Sequence, residues 1–177
     1  MKNSKLIPLL HSRWSCTLGD FVPVKLGMDE GESAKFMIAT SDYSGILLFF
    51  YENGKVAKVS LKAYETKTNR KKLTGAYSDK SPLVDVCAMT EDVQMAVFTT
   101  DGRAVIFSTA QLLPKTTRNT IGVSVVSLKK KASVSGVQLL KDCGITNPSR
   151  YRTRNIPSAG ALLKEEDAPE KQISFEV

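Results

Sequence analysis

Two short basic stretches hold the residues of this chain best suited to chemistry, Lys67-Thr68-Asn69-Arg70 and Lys115-Thr116-Thr117-Arg118. They stand 48 residues apart (67 to 115). The same offset (53 to 101) separates Asn53-Gly54-Lys55-Val56-Ala57-Lys58-Val59 from Asp101-Gly102-Arg103-Ala104-Val105-Ile106-Phe107. Lys71 and Lys72 extend the first stretch and Asn119 the second. Ammonium, guanidinium and hydroxyl groups on a loop neutralise and hydrogen-bond phosphate oxygens without reading bases. A single basic loop is ordinary solvated surface. Two in register with a structural repeat point to a repeated, polyanionic ligand. Each phosphate contact releases counterions, so several loops on one rim give salt-sensitive, sequence-tolerant binding. Lys129-Lys130-Lys131 is a weaker candidate, because a three-lysine turn also serves solubility.

Bond-making chemistry has no comparable set. His11 is the single histidine and reads as a surface or satisfied residue, while Cys16, Cys87 and Cys143 are scattered with no CxxC. Neither a disulfide framework nor a zinc site is supported, which suits a reducing cytosol. Asp29-Glu30 and Glu165-Glu166-Asp167 lie in polar, Gly- or Pro-flanked stretches and read as solvated acids. No glycine-rich phosphate loop of the Walker or dinucleotide type is present. The expectation is a chain with no catalytic residues, no metal and no cofactor of its own. Trp14 and Tyr43 could stack on bases, but nothing repeats around them, so packing is the better reading; Phe49, Phe50, Phe98 and Phe107 read as core.

The elements that must carry the loops are strands. Gly45-Ile46-Leu47-Leu48-Phe49-Phe50-Tyr51 runs into Asn53-Gly54 and then Lys55 to Val59, and Met95 to Thr100 runs into Asp101-Gly102 and then Arg103 to Phe107. Apolar run, Asn-Gly or Asp-Gly, alternating run predicts a hairpin closed by a type I′ turn. A third strand pair is expected at 122–128 and 133–139, turning through Lys129-Lys130-Lys131; its counterpart in the first unit is 74–77 followed by 83–88. Leu61 to Tyr64 and Thr109 to Leu113 have room only for short turns. Four short strands per ~48 residues is the pattern of a propeller blade or a related all-β array.

Residues 36–86 and 87–139 therefore read as two blades, residues 9–35 as the end of a preceding one, and residues 140–177 as a loop-rich tail. In that tail residues 164–171 read as solvated, and residues 172–177 as a closing edge strand with Ile173, Phe175 and Val177 on one face. With 177 residues, 42% of them hydrophobic, the chain can bury a core as one domain or one piece of a larger one. Lys and Arg number 25 against 18 acids, a net charge of +7, and the two blades hold six of those charges (+3 and +3). No apolar run approaches the ~20 residues that span a bilayer, and no convincing signal peptide is present, so no membrane partner is expected.

The loops and their surroundings resemble the C-terminal domain of bacterial type IIA DNA topoisomerase A subunits, those of gyrase and topoisomerase IV. The resemblance rests on residues 53–59 and 101–103, on Tyr64-Glu65-Thr66-Lys67-Thr68-Asn69-Arg70-Lys71-Lys72-Leu73, and above all on Lys115-Thr116-Thr117-Arg118-Asn119-Thr120-Ile121-Gly122-Val123 followed by Leu128-Lys129-Lys130. Tyr151-Arg152-Thr153-Arg154-Asn155-Ile156-Pro157 is similar to the tail of that family, and the likeness covers roughly residues 18–177. It implies an all-β β-pinwheel, a propeller-like ring whose blades exchange strands and whose basic rim binds and bends duplex DNA. The site residues it implies are Lys67, Thr68, Arg70, Lys71, Lys72, Lys115, Thr116, Arg118, Lys129, Lys130 and Lys131. It also implies a bacterial cytoplasmic, chromosome-associated protein whose partners are the breakage-reunion core of the parent enzyme and its ATPase B subunit. ATP and Mg would be used on other domains. The Gln-Arg-Arg-Gly-Gly-Lys-Gly box of gyrases is missing from the Arg118 to Gly122 loop where it would fall, which favours a topoisomerase IV-like or degenerate domain. Family rings hold five or six blades, so this chain reads as a fragment, an open arc, or a piece that pairs with other copies. Two other functions compete. One is a protein-interaction or self-assembling propeller module, pairing through open blade edges. The other is a hydrolase or lyase propeller, for which no convergent acid, base or metal set is found.

Overall fold

The computed structural model describes residues 24, 27–31, 36, 38, 42–65 and 73–167. Within them run β1 Ile46–Tyr51, β2 Lys55–Ser60, β3 Leu83–Met89, β4 Gln94–Thr99, β5 Arg103–Ser108, β6 Val123–Ser124, β7 Val134–Leu139 and β8 Ala161–Leu162. They form two four-stranded antiparallel sheets, ordered β3-β1-β2-β6 and β7-β4-β5-β8. The repeat is structural. β4 and β5 begin 48 residues after β1 and β2 (46 to 94, 55 to 103), and Phe50 pairs with Val56 as Phe98 pairs with Ala104. The two short turns expected after the hairpins are single 3-10 turns, Leu61–Tyr64 and Thr109–Gln111.

β1 and the centre of β4 (residues 95–98) read as continuous apolar runs because both of their faces are covered. Leu48, Phe50 and Val56 of the first sheet pack on Met95, Val97, Val105 and Phe107 of the second, which makes one core between the blades. Leu47, Phe49, Tyr51, Ala57 and Val59 face the other way, onto Leu61, Tyr64, Leu73 and Ala76, with Tyr43 at the margin. The far face of the second sheet, Ala96, Phe98, Ala104 and Ile106, is covered by Cys143 and Tyr151 of the tail. All four phenylalanines expected in the core are buried, and Tyr43 packs rather than projects.

The hairpin turns differ from type I′. Among the described residues the only non-glycine with positive φ is Lys131, so neither Asn53 nor Asp101 is left-handed. Instead the Gly54 and Gly102 amides close back on the carbonyls of Tyr51 and Thr99, and only the glycine adopts positive φ, 77° and 73°. This is the three-residue hairpin loop, in which the left-handed residue forms a bulge.

The expected third hairpin does not form. Residues 122–128 yield only β6, which pairs with β2 of the first sheet (Val56 with Val123, Lys55 with Ser124), whereas β7 pairs with β4 of the second. The chain thus hands a strand back to the preceding sheet before building the next, and β8 repeats the move on β5. Glycine permits both crossings, since a Cβ at Gly122 would strike the Val56 carbonyl and one at Gly160 the equivalent Ala104 carbonyl (56 to 104). Sheet membership consequently crosses the 86/87 boundary in sequence: β3 spans it, and β6 lies beyond it.

The tail holds a second correction. Asp167, in the stretch expected to be solvated, is buried. It accepts hydrogen bonds from the Thr146 amide, the Thr146 hydroxyl and the Tyr151 hydroxyl, each at 2.7 Å. A side chain that satisfies three donors can lose its water, which composition alone does not reveal. Residues 172–177, most of 9–35, His11, Trp14 and Cys16 lie outside the described residues.

Candidate nucleic-acid interface

After β5 the chain makes its 3-10 turn, with the Ser108 hydroxyl accepting from the Ala110 amide, and buries Leu112. It then crosses to the first sheet. The Lys115 amide donates to the Lys58 carbonyl at 2.7 Å, and the Ser60 amide donates to the Lys115 carbonyl at 3.0 Å. Lys115 is thereby bridged in parallel to Val59, at the free edge of β2. Lys115 and Thr116 are exposed and Arg118 is half-buried. Arg118 lies close enough to Tyr64 to oppose the rise of its hydroxyl pKa, which burial and then Tyr51 drive upward.

The tail makes a related parallel crossing one blade on, in a shifted register. The Ile106 amide donates to the Tyr151 carbonyl and the Thr153 amide to the Ile106 carbonyl, both at 2.8 Å, so Arg152 is bridged in parallel to the free edge of β5. Arg152 and Arg154 are exposed. The Thr153 hydroxyl donates to the Asn155 carbonyl at 2.6 Å and sets the turn that follows. Gln111 ties the two crossings together: its amide donates to the carbonyls of Thr153 at 3.4 Å and Arg154 at 3.2 Å. Gln111 precedes Lys115 by four residues (111 to 115). The tail segment therefore lies against the stretch that leads into Lys115. Among the described residues, Lys115, Arg118, Arg152 and Arg154 enter no ion pair with a carboxylate.

Beneath them lies a buried cation. Lys58, 5% exposed, donates to Asp92 at 2.6 Å and to the Thr109 carbonyl at 3.0 Å, both in the second blade. Thr109 in turn donates to Asp92 at 2.7 Å. Lys58 first and Thr109 second hold the Asp92 carboxyl below the usual carboxylate range. One residue thus holds Lys115 through its carbonyl and the neighbouring blade through its ammonium.

The structure brings together only part of the residue set read from the sequence. Lys67, Thr68, Arg70, Lys71 and Lys72 lie outside the described residues. Lys115 sits on the β2 edge, and Thr116 and Arg118 follow it in the same segment. Lys129, Lys130 and Lys131 do not join them. They form a separate exposed turn with Lys131 at φ 69°, reached after the chain has passed Gly54 at the opposite end of β2. The sequence reading missed Arg152 and Arg154 because their segment stands 36 residues, not 48, beyond its counterpart (117 to 153). The surviving signal is the tripeptide Thr117-Arg118-Asn119, repeated as Thr153-Arg154-Asn155.

Nucleophile and metal chemistry find little footing. Burial, and then Asp85, push the Cys87 thiol up to about 12, which keeps it protonated. Among the described residues no group of three or more His, Cys, Asp or Glu could hold a metal ion, and no helix is long and apolar enough to cross a membrane.

Two stacked four-stranded antiparallel blades that exchange strands define an all-β, propeller-like pinwheel module. Among solved structures, this chain is similar to the crystal structure of the C-terminal domain of DNA topoisomerase IV, with TM-score 0.61 and 26% identity over 72% of this chain and 40% of that one. It shares the fold of a DNA gyrase A C-terminal domain with TM-score 0.54 and 16% identity, over 72% of this chain and 47% of that one. The E. coli ParC C-terminal domain matches more distantly, with TM-score 0.42 and 11% identity, over 64% of this chain and 49% of that one. No protein-family model matches the sequence, and no curated protein matches it. The resemblance to the C-terminal domains of gyrase A and topoisomerase IV thus holds in fold. This chain spans less than half the length of each of these structures.

Proposed function

We propose that the chain is a non-catalytic module of a type IIA topoisomerase A subunit that binds and bends duplex DNA along its basic edge. It would present the duplex to a breakage-reunion core on another domain, in a bacterial cytoplasm. An ATPase B subunit would work beside that core, with ATP and Mg bound outside this module. The observation that supports this reading is the edge itself. Lys115 and Arg118 stand on a strand-exchange segment, pinned by backbone hydrogen bonds and unpaired with carboxylates among the described residues. Cations on a segment whose main chain is pinned at Lys115 need not be stripped from a carboxylate before meeting phosphate. Lys67, Thr68, Arg70, Lys71 and Lys72 would supply the preceding station, Thr116 a hydroxyl contact, and Lys129 to Lys131 a peripheral one. Bending costs a few kcal/mol, offset by phosphate contacts along the curve.

The test is duplex affinity measured against salt. A steep linear fall of log affinity with log salt is expected, and reversing Arg70 and Arg118 together should weaken all sequences about equally. A flat slope sinks the electrostatic mechanism. Exposed Leu113, Ile121 and Val123 beside the station favour a second reading, self-association or a protein partner. That reading requires a concentration-dependent mass with no DNA shift.

A further inference from the structure

The tail segment bearing Arg152 and Arg154 shares two features with the segment bearing Lys115 and Arg118, though its register on the strand differs. Each crosses back to the free edge of the preceding hairpin's second strand and is held there by a parallel bridge. Each then runs through Thr-Arg-Asn to a left-handed glycine, Gly122 or Gly160, pressed on an equivalent carbonyl. Aligned on Thr-Arg-Asn, Arg154 takes the place of Arg118 and Arg152 that of Thr116, with Tyr151 buried where Lys115 is exposed and the crossing shifted two residues along its strand, so the tail carries a related basic pair rather than a copy of the first. Gln111 then joins the stations by donating to the Thr153 and Arg154 carbonyls.

Arg152 is also pre-positioned. Its Nε donates to the Gln94 side chain at 3.2 Å, at the start of β4. That bond fixes the arm and leaves both terminal nitrogens of the guanidinium for another acceptor. Planar, forked donors of this kind match the two oxygens of a phosphate. Gln94 and Gln111 are neutral, so they orient the station without cancelling its charge.

We propose that Arg152 and Arg154 form a second phosphate-binding station, continuous with Lys115 and Arg118, that carries one duplex backbone across the boundary between the two blades. This rests on the DNA-binding reading above and extends it to residues of the tail. The lysine turn at 129–131 lies off this track.

The test uses the full chain and a fluorescent duplex, with affinity measured by anisotropy from about 50 to about 200 mM salt. Each lost phosphate contact lowers the log–log slope by about 0.9. R152Q/R154Q should lower the slope by nearly twice that amount, as should K115Q/R118Q, while R152K/R154K restores most of it. Thermal melting of each variant separates lost contacts from lost fold, and the lysine pair serves where the glutamine pair melts early. A normal slope for R152Q/R154Q, with K115Q/R118Q reduced, overturns the tail station and leaves DNA binding intact. A wild-type chain that shows no salt-dependent binding overturns the DNA reading itself, and this station with it.

Discussion

Lys58 and Ile106 occupy the same place in consecutive blades (58 to 106), and their surroundings are opposites. Each stands on the second strand of its sheet, two residues beyond Val56 or Ala104, and so on the same face as that residue. Lys58 looks into the boundary between the blades, where Asp92 and the Thr109 carbonyl receive its ammonium. Ile106 looks toward the tail, among Phe98, Cys143 and Tyr151. A face that meets another blade carries a directional polar pin set into a hydrophobic core. A face that meets the tail is apolar at that point, and its polar order is moved outward to Asp167. The difference follows from what each face must do. Apolar packing resists sliding weakly, whereas a buried ammonium held by a half-exposed carboxylate and a buried carbonyl is directional. Lys58, whose carbonyl also accepts the Lys115 amide, thus ties the basic segment to the packing between the blades.

Exchanging the two residues tests this contrast most severely. Ile106→Lys would bury an ammonium with no acid provided for it, at a cost of about 3–5 kcal/mol. Lys58→Met keeps most of the volume and lets half-exposed Asp92 return to water, leaving chiefly the buried Thr109 carbonyl short of a donor, about 1–2 kcal/mol. Urea unfolding of both variants at neutral pH gives the two values. If I106K unfolds within about 1 kcal/mol of wild type, the tail-facing side is wetter than its packing indicates, and the contrast fails. K58M carries a second readout, since it should change the bend of bound duplex more than the affinity.

The hairpin glycines sharpen the comparison at the next level. Gly54 and Gly102 share positive φ, so alanine costs about 1–2 kcal/mol at either. Their surroundings differ. A Cβ at Gly54 would lie 2.6 Å from the Val126 carbonyl, whereas none of the described atoms outside the turn comes within 4 Å of one at Gly102. Both strand-exchange segments reach the turn glycine, through the Val125 amide on the Gly54 carbonyl and the Leu163 amide on the Gly102 carbonyl, but only the first closes over the glycine's Cβ position. G54A should therefore cost clearly more than G102A, by at least about 1 kcal/mol. Equal losses in thermal or chemical denaturation would mean that the segment beyond β6 yields freely.

These contrasts also mark where the sequence was legible. Hairpins were, because a turn glycine and two flanking apolar runs are local, and the 48-residue offset preserves them intact. The all-β class followed from the same runs. Turn type was not legible, because Asn-Gly and Asp-Gly suit two-residue and three-residue loops alike. Strand exchange was implied by the family resemblance, but the strands that carry it were hidden because β6 and β8 are two residues long and their partners lie far off in sequence. Lys115 and Arg118 were found because the repeat displays them. Arg152 and Arg154 were passed over because the tail shortens the repeat by twelve residues (48 to 36). Asp167 looked solvated because its neighbours Glu165 and Glu166 are, and only its fold partners distinguish it.

Asp167 and Asp92 provide the smallest and most selective test, in acid. The hydroxyl of Thr146 and then that of Tyr151 hold Asp167 down to about 2, against an ordinary value of 3.8. A carboxyl depressed on folding stabilises fully above its unfolded value, and that contribution drains away as pH falls through the folded one. Stability from Asp167 is therefore complete above 3.8 and lost on the way down to 2. Asp92 is depressed in the same direction by Lys58, but its side chain is 43% exposed, so water and salt screen the pair. D167N should flatten the acid limb of stability against pH, at low and high salt alike, because its partners are neutral hydroxyls and an amide. D92N should flatten it less, and the effect should fade as salt rises. The same salt response from both variants would mean that the tail is held by charge, as the blade boundary is, and the two faces of the second sheet would then differ only in degree.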